Sequence, residues 1–283
     1  MSAVILEGVT KHFKLPWRRG VLQALDHLDM TVRPGEIFGL LGPNGSGKST
    51  AMKLILGLIQ PTKGRVEVAG MAAGSIAARE KLGFLPENPY FPQFLSAREV
   101  LHFYGPLCGL TGKKLSQRAD ELLELVGLEN AAQRPLKTFS KGMLQRIGLA
   151  QALIHDPEIL LLDEPTAGVD PLGGRQIRDL MLELRRRGKT ILFSSHLLDQ
   201  VQEVADRVAI LHLGKKLCEG TLDELLTRPG EVEIRAQSLL LETQRELLAW
   251  LEQRGASNAQ VMPSKDRLED YFIQKVTSRE LID

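Results

Sequence analysis

Four glycines surround a single lysine in the stretch GLLGPNGSGKST, which spans residues 39–50. The apolar run EIFGLL leads into it and predicts a buried strand, and KSTAMKLILGL predicts an amphipathic helix. The pattern GxxxxGK[ST] runs from Gly42 to Ser49 across this strand-to-helix turn. Positions without side chains let consecutive backbone N–H groups surround an anion at the positive end of a helix. The stretch therefore predicts a phosphate loop made of Gly42, Pro43, Asn44, Gly45, Ser46, Gly47, Lys48, Ser49 and Thr50.

Two acidic residues, Asp163 and Glu164, follow a second apolar strand, Ile159 to Leu162. In a phosphate-loop site Lys48 reaches the β and γ phosphates, and the Ser49 hydroxyl ligates Mg²⁺. Asp163 would hold Mg²⁺ through its water shell, and Glu164 would accept the proton of the water that attacks the γ phosphate. Alternatively, both acids are solvated at the strand end or cap the next helix. The loop and the acid pair together predict a nucleoside triphosphate as the ligand.

Composition narrows the class of protein. The 283 residues are 43% hydrophobic, and 36 Lys and Arg against 35 Asp and Glu give a net charge of +1, so no global attraction to nucleic acid or anionic lipid is expected. Cys108 and Cys218 lie far apart without metal-ligand spacing, which argues against a disulfide framework or a zinc site. No apolar run approaches the roughly 18 residues of a membrane span, and the N-terminus does not resemble a signal peptide. We expect a cytosolic chain.

The segment TFSKGMLQRIGLAQAL resembles the signature of the ATP-binding cassette (ABC) family, which begins Leu-Ser-Gly-Gly-Gln. Ser140 and Gly142 are retained, at the start of a predicted helix from Lys141 to Ile154. The resemblance implies that two such domains dimerise head to tail, so that Ser140 and Gly142 of one chain contact the γ phosphate held by Lys48 of the other. By itself, Ser140 would be interpreted as an ordinary helix N-cap, and only its occurrence together with the other motifs favours the signature.

Further family elements follow in order. TAGVD resembles the D-loop and implies that Asp170 lies near the dimer interface, and ILFSSHLLDQV resembles the switch region and implies that His196 contacts the γ phosphate. Phe13 matches the position of an aromatic ring that stacks on adenine; the alternative is a Phe buried beside the first strand. The remaining histidines are interpreted as bystanders: His12, His27, His102, His155 and His212.

The chain departs from the family pattern at two places. Glu87 replaces the Q-loop glutamine that reaches Mg²⁺; an acid can still ligate the metal, but it adds charge next to the phosphates. Lys141 and Met143 alter the signature, and Lys141 either contacts ATP or projects into solvent.

The remaining pattern predicts the domain organisation. Residues 1–228 form a nucleotide-binding domain, with a helical subdomain at about 93–136 that opens with a capping box at Ser96 and Glu99. Tyr90, Phe91 and Phe94 at its entrance could be core or could line a groove for a partner's helix. Residues 229–283 form a small α/β extension, whose end, with Leu268, Glu269, Asp270 and Phe272, resembles exporter subunits. Strands are expected at Val4–Glu7, Leu25–Val32, Glu36–Leu41, Arg65–Val68, Leu82–Leu85, Ile159–Asp163, Thr190–Phe193, Arg207–Leu211 and Lys216–Cys218, with a helix at Gly174–Arg187.

The resemblance implies an α/β fold of the P-loop NTPase type: a mixed sheet core with an antiparallel β part and a helical subdomain. It implies a Mg²⁺-dependent ATPase subunit of a transporter, most like bacterial exporters with a separate multispanning permease, which works as a homodimer or with a similar subunit at the cytoplasmic face of the cell membrane. A soluble ABC ATPase acting on ribosomes or DNA is the alternative, but such relatives carry two cassettes or a long coiled-coil insert, and neither is present in this sequence. A metabolite kinase would leave FSKGM and His196 unexplained, and no nucleic acid partner is expected.

Overall fold

The chain folds as two compact units, Met1–Leu226 and Thr227–Asp283. A computed structural model describes residues 2–14, 20–227, 230, 238–257 and 259–261. In chain order the elements are β1 (Val4–Lys14), β2 (Val21–Val32), β3 (Ile37–Leu41), α1 (Lys48–Ile55), β4 (Lys63–Val68), β5 (Met71–Ala72), α2 (Ile76–Glu80), β6 (Leu82–Leu85), α3 (Ala97–Tyr104), α4 (Gly112–Leu125), α5 (Lys141–Ala152), β7 (Ile159–Asp163), α6 (Pro171–Arg186), β8 (Thr190–Ser195), α7 (Leu198–Gln202), β9 (Arg207–His212), β10 (Lys215–Thr221), α8 (Leu222–Leu226) and α9 (Leu241–Gln253). Over these ranges, no helix combines the length and the apolar character needed to cross a bilayer.

A six-stranded sheet in the order β10-β9-β3-β8-β7-β6 forms the centre of the larger unit. All pairs are parallel except β9 with β10. The strands β3 and β8 are buried along their whole length, as expected for parallel strands covered on both faces. The predicted parallel-sheet strands are confirmed within two residues. Because β3, β7 and β8 run in parallel, the residues that follow each of them meet at one edge of the sheet.

A second sheet, in the order β2-β1-β4-β5, is antiparallel. Its hairpin is longer than the sequence predicted: β1 continues past Glu7 to Lys14, and β2 begins at Val21 rather than Leu25. The prediction was wrong here because cross-strand pairing, such as that of Phe13 with Leu22, holds this arm together without burying it. The sequence PWRRG, residues 16–20, predicts a solvated loop rather than a membrane-surface contact, and all of it except Gly20 lies outside the described residues.

Helices α3, α4 and α5 follow the first part of the central sheet. The predicted capping box at α3 is confirmed: the Ser96 backbone N–H donates to Glu99 Oε2 at 2.8 Å, and the Glu99 N–H donates to the Ser96 hydroxyl. The three aromatic residues at the entrance separate, since Phe91 is buried but Tyr90 and Phe94 are 89% and 78% exposed. The core alternative therefore applies to Phe91, whereas Tyr90 and Phe94 do not belong to the core.

Helix α6 begins three residues before the predicted start. The Asp170 side chain accepts a hydrogen bond from the Gly173 N–H at 2.9 Å, and Pro171 occupies the first helical position. An acidic N-cap followed by proline is a common helix start, so the residues that fix this boundary are Asp170 and Pro171.

The smaller unit contains α9, which ends before Gly255; the pattern of LETQRELLAWLEQRG, residues 241–255, predicts a helix here, and this is confirmed. The Arg254 guanidinium lies 4.9 Å from the centre of the Trp250 ring. The segment EVEIRAQ, residues 231–237 of the predicted α/β extension, and the terminal Leu268 to Phe272 motif lie outside the described residues.

A buried arginine links the two sheets of the larger unit. Arg207 of β9 donates to the Thr31 carbonyl of β2 at 3.3 Å and pairs with Glu36 at 3.0 Å and Glu219 at 2.6 Å. Its guanidinium also lies 5.3 Å from the centre of the Phe38 ring. The Arg207, Glu36 and Glu219 side chains are only 9–14% exposed, so Glu36 depends on this arginine for compensation, while Glu219 also pairs with Lys216 at 2.6 Å.

We expect Arg207→Ala to lower the free energy of unfolding by about 3–5 kcal/mol, because it leaves the nearly buried Glu36 carboxylate without the arginine that compensates it. Glu219 keeps its pair with Lys216. Urea unfolding followed by circular dichroism measures the change. Arg187→Ala is the control, since it removes an exposed pair with Glu183 on α6 and should cost only about 0.3–0.5 kcal/mol. Equal losses in both variants would contradict a structural role for the buried cluster.

Candidate functional site

The loop between β3 and α1 is shaped by glycines that no other residue could replace without rearrangement. Gly42 has φ +149°, and a Cβ there would lie 2.2 Å from the Leu211 carbonyl oxygen. Gly47 has φ +108°, and a Cβ there would lie 2.6 Å from Leu25 Cδ2. Gly47 also caps α1 without a side-chain hydrogen bond, so the first N–H groups of the helix remain available to an anion.

Lys48 is held at the mouth of this loop. Its Nζ donates to the Gly42 carbonyl at 2.7 Å and lies 3.5 Å from Glu164 Oε1, and its side chain is only 6% exposed. The ammonium group is therefore fixed between the phosphate loop and the acid pair. A cation in this position compensates the Glu164 charge in a place shielded from water.

The two acids lie at the carboxyl end of β7, as the sequence predicted. Asp163 Oδ1 accepts a hydrogen bond from Ser194 Oγ at 2.5 Å, and the Glu164 N–H donates to the same hydroxyl at 2.9 Å. Glu164 has φ +49°, the left-handed conformation, which costs a residue with a Cβ about 1–2 kcal/mol. Strained backbone of this kind persists where the surrounding structure holds it in place.

His196 completes the cluster. Its Nδ1 lies 2.8 Å from Glu164 Oε2, so the two carboxylate oxygens of Glu164 have different partners, Lys48 on one and His196 on the other. The His196 side chain is 44% exposed, whereas that of Glu164 is 10% exposed. The imidazole thus lies between the buried acid and solvent.

The oxygen atoms near Asp163 suit a magnesium ion that arrives with phosphate. The Ser49 hydroxyl lies 3.5 Å from Asp163 Oδ1, which brings together two of the oxygen types that Mg²⁺ prefers. Within the described ranges, no group of three or more His, Cys, Asp or Glu side chains could hold a metal by itself. These residues therefore fit an ion that takes its other ligands from a nucleotide and water.

The signature segment forms the start of α5. The Ser140 hydroxyl accepts a hydrogen bond from the Met143 N–H at 3.3 Å, the N-cap arrangement considered from the sequence. A Cβ on Gly142 would lie 3.0 Å from Val169 Cγ1, so this turn packs closely against the segment before α6. Lys141 is exposed, and its Nζ lies beside Gly168, where a Cβ would be 2.9 Å away.

One turn further along α5, two side chains hydrogen-bond to backbone carbonyls of neighbouring segments. Gln145, almost fully buried, donates from Nε2 to the Glu87 carbonyl at 2.6 Å. Arg146 donates to the carbonyls of Val126 and Gly127 at the end of α4. Burial lowers the pKa of the Arg146 guanidinium, while the nearby Asp170 and Glu129 charges oppose that shift.

The sequence-predicted residues separate into two groups. Hydrogen bonds and ion pairs join Lys48, Ser49, Asp163, Glu164 and His196 into one cluster. Over the described ranges, no hydrogen bond or ion pair connects that cluster to Phe13, Glu87, Ser140 or Gly142. Phe13 is 36% exposed on β1, beneath the Lys11 ammonium at 5.1 Å from its ring centre, so it is not buried beside the first strand.

Sequence reasoning missed Ser194 and the pair Thr166–Gln200, whose side chains hydrogen-bond at 2.5 Å. The sequence did contain an indication of Ser194. The apolar stretch TILF is followed by two serines, and Ser194 pairs with Asp163 at the end of β7. We expected the strand to end at Phe193, before those serines.

Comparison with known proteins agrees with this geometry. A family model described as ABC transporter matches residues 25–167. An uncharacterized ABC transporter ATP-binding protein of Synechocystis sp. is 39% identical in an alignment of 287 positions that covers 93% of this chain and 81% of the relative. The Nod factor export ATP-binding protein I of Rhizobium sp. is 33% identical in an alignment of 305 positions that covers 99% of this chain and 98% of the relative. A dimeric ATP-binding cassette solved in a post-hydrolysis state with ADP and Pi is 29% identical, with a TM-score of 0.69 over 77% of this chain and 98% of that one.

The family match, the phosphate loop, the acid pair at the end of β7 and the fold all indicate an ATP-binding cassette, as the sequence predicted. This chain belongs to the ABC transporter family, as an ATP-binding subunit that hydrolyses ATP.

Proposed function

We propose that this chain powers an exporter whose membrane-spanning part is a separate multispanning permease, and that it works at the cytoplasmic face of the cell membrane. The observation that carries the proposal is the cluster of Lys48, Asp163, Glu164 and His196 at one edge of the parallel sheet. The direction of transport is supported by the Nod factor export relative, which aligns with this chain over almost its whole length. The names of the relatives favour this function over a soluble ATPase acting on ribosomes or DNA.

In this proposal the loop from Gly42 to Thr50 binds the phosphates of ATP through its backbone N–H groups. Lys48 exchanges its hydrogen bond to the Gly42 carbonyl for oxygens of the β and γ phosphates. Phe13, which is 36% exposed, stacks on the adenine ring.

Ser49 and Asp163 would hold Mg²⁺, and Glu87 is proposed as a further ligand. When bound, this ion neutralises charge that develops on the phosphate oxygens. The Glu87 carboxylate belongs to an exposed residue whose backbone carbonyl is fixed by Gln145, so its side chain can turn towards a nucleotide without moving the main chain.

Glu164 is the proposed general base. Its carboxylate would accept a proton from the attacking water, while His196 orients it through Oε2 and contacts the γ phosphate. Lys48 withdraws from Glu164 as it reaches the phosphates, which frees Oε1 for the water.

Two subunits complete each site in this proposal, either as a homodimer or as a pair with a similar subunit. Ser140, exposed at the start of α5, and the adjoining Gly142 would contact the γ phosphate bound by the other subunit, with Asp170 near the interface. The similarity to a dimeric cassette supports this arrangement. The exposed rings of Tyr90 and Phe94 are the proposed contact with a cytoplasmic helix of the permease.

Glu164→Gln should lower the turnover number by roughly 10²–10⁴-fold, because the amide cannot accept the proton, and should leave ATP affinity unchanged. Size-exclusion chromatography in the presence of ATP should then show a trapped dimer. Glu158→Gln, at the opposite end of β7, is the matched control and should hydrolyse ATP normally. Turnover at the wild-type rate in Glu164→Gln would rule out this base.

Lys48→Ala should weaken nucleotide binding by about 10–100-fold, since a charged hydrogen bond is worth about 1.5–3 kcal/mol. Titration with a fluorescent ATP analogue measures the affinity. Lys53→Ala removes an exposed lysine from the same helix and should bind as the wild type does. If both variants bind equally well, Lys48 does not contact the nucleotide.

The permease should copurify with the Glu164→Gln chain from detergent-solubilised membranes in the presence of ATP, as a stoichiometric multispanning protein. Replacing both Tyr90 and Phe94 by alanine should abolish the association, whereas Ile76→Ala removes an equally exposed side chain on α2 and should not. Recovery only from the soluble fraction, with ribosomal or DNA-bound factors, would favour the alternative function.

A further inference from the structure

Ser194 lies at the carboxyl end of β8, directly beside the acid pair. In the parallel pairing of β7 with β8, its backbone is the register partner of Asp163. The residue is completely buried. Its hydroxyl is nevertheless fully used, by one contact to each of the two acidic residues.

The direction of these two hydrogen bonds is fixed by chemistry. The backbone N–H of Glu164 can only donate, so Ser194 Oγ accepts at 2.9 Å. The hydroxyl has a single proton, and it points at Asp163 Oδ1, 2.5 Å away. One hydroxyl therefore orients the side chain of Asp163 and the peptide group of Glu164 at the same time.

The contact to Glu164 is made where the backbone is strained. Glu164 has φ +49°, and its N–H belongs to the peptide that leads into this left-handed conformation. A buried N–H that loses its acceptor destabilises the fold. The hydroxyl therefore favours the peptide orientation that directs the Glu164 side chain to Lys48 and His196.

We infer that Ser194 is a positioning residue for ATP hydrolysis, which holds Asp163 in its metal-binding orientation and Glu164 in its base orientation through one hydroxyl. This inference rests on the roles proposed for Asp163 and Glu164. The adjacent Ser195 differs, although it is also buried, because its hydroxyl accepts from the Leu197 N–H at 3.0 Å.

The test compares two variants of the full chain that each remove a buried hydroxyl from β8. Ser194→Ala removes the contacts to both acids. Thr190→Val removes a hydroxyl that accepts from the Gly35 N–H at 2.9 Å, at the opposite end of the same strand. Both variants leave one backbone N–H without its acceptor, so thermal unfolding shows whether their structural costs are similar.

Two further measurements separate positioning from stability. Binding of a fluorescent ATP analogue is titrated with Mg²⁺, and ATP turnover is measured at saturating Mg²⁺. Loss of a group that orients a metal ligand typically costs 10–100-fold, so Ser194→Ala should raise the Mg²⁺ concentration for half-maximal binding by at least about tenfold and lower kcat by about 10–100-fold. The KM for ATP should change little, and Thr190→Val should resemble the wild type in every measurement except thermal stability.

If Ser194→Ala and Thr190→Val behave alike in Mg²⁺ dependence and kcat, the hydroxyl has only a structural role and the inference is wrong. Failure of the proposed function is recognised separately, from wild-type turnover in Glu164→Gln. The Mg²⁺ titration depends on Asp163 rather than on the base. It therefore tests whether Ser194 orients Asp163 even if Glu164 is not the base.

Discussion

The buried carboxylate of Glu164 is the constraint on which the arrangement of this unit depends. An ionised group that is only 10% exposed needs compensating charge and hydrogen bonds, and it receives them from Lys48 and His196. Lys48 follows β3, Glu164 follows β7 and His196 follows β8. The three groups meet only because these strands are neighbours in the order β3-β8-β7 and end at the same edge. Since a shift of one residue would turn each side chain to the other face, the register that pairs Asp163 with Ser194 is as necessary as the residues themselves.

The sequence predicted those parts of the site that depend on local pattern. The phosphate loop and the acid pair each lie within a few residues of an apolar strand, so spacing alone located Lys48 and Glu164. Ser194 was not found, because its role arises from pairing with a strand that ends 31 residues earlier in the chain. The long hairpin arm was missed for a similar reason: Phe13 and Leu22 stabilise it across strands, with little burial to produce a pattern. Neighbouring aromatic residues were indistinguishable by type, and only packing against α3 separates buried Phe91 from exposed Tyr90.

The start of helix α5 packs against the segment that precedes α6. Its first turn packs closely on the segment before α6, where a Cβ on Gly142 or on Gly173 would lie within 3.0 Å of Val169 Cγ1. Protein interiors are close-packed, so Gly142 cannot move far without displacing Val169 and, with it, the cap at Asp170. The two segments that the resemblance assigns to the dimer interface therefore form one packed surface within a single chain.

The segment that carries Tyr90 is fixed at both ends, and this limits how a bound partner could act on it. Gln145 holds the Glu87 carbonyl at 2.6 Å, and Phe91 is buried with its ring edge-to-face with Tyr104 at 6.1 Å. Displacement of the exposed Tyr90 must therefore either break these contacts or move α3 and α5 with it. Breaking the first contact would leave the buried Gln145 amide without its acceptor, at a cost of about 1–3 kcal/mol. Moving the helices together avoids that cost, so the packing favours transmission of a push at Tyr90 to Ser140 at the start of α5.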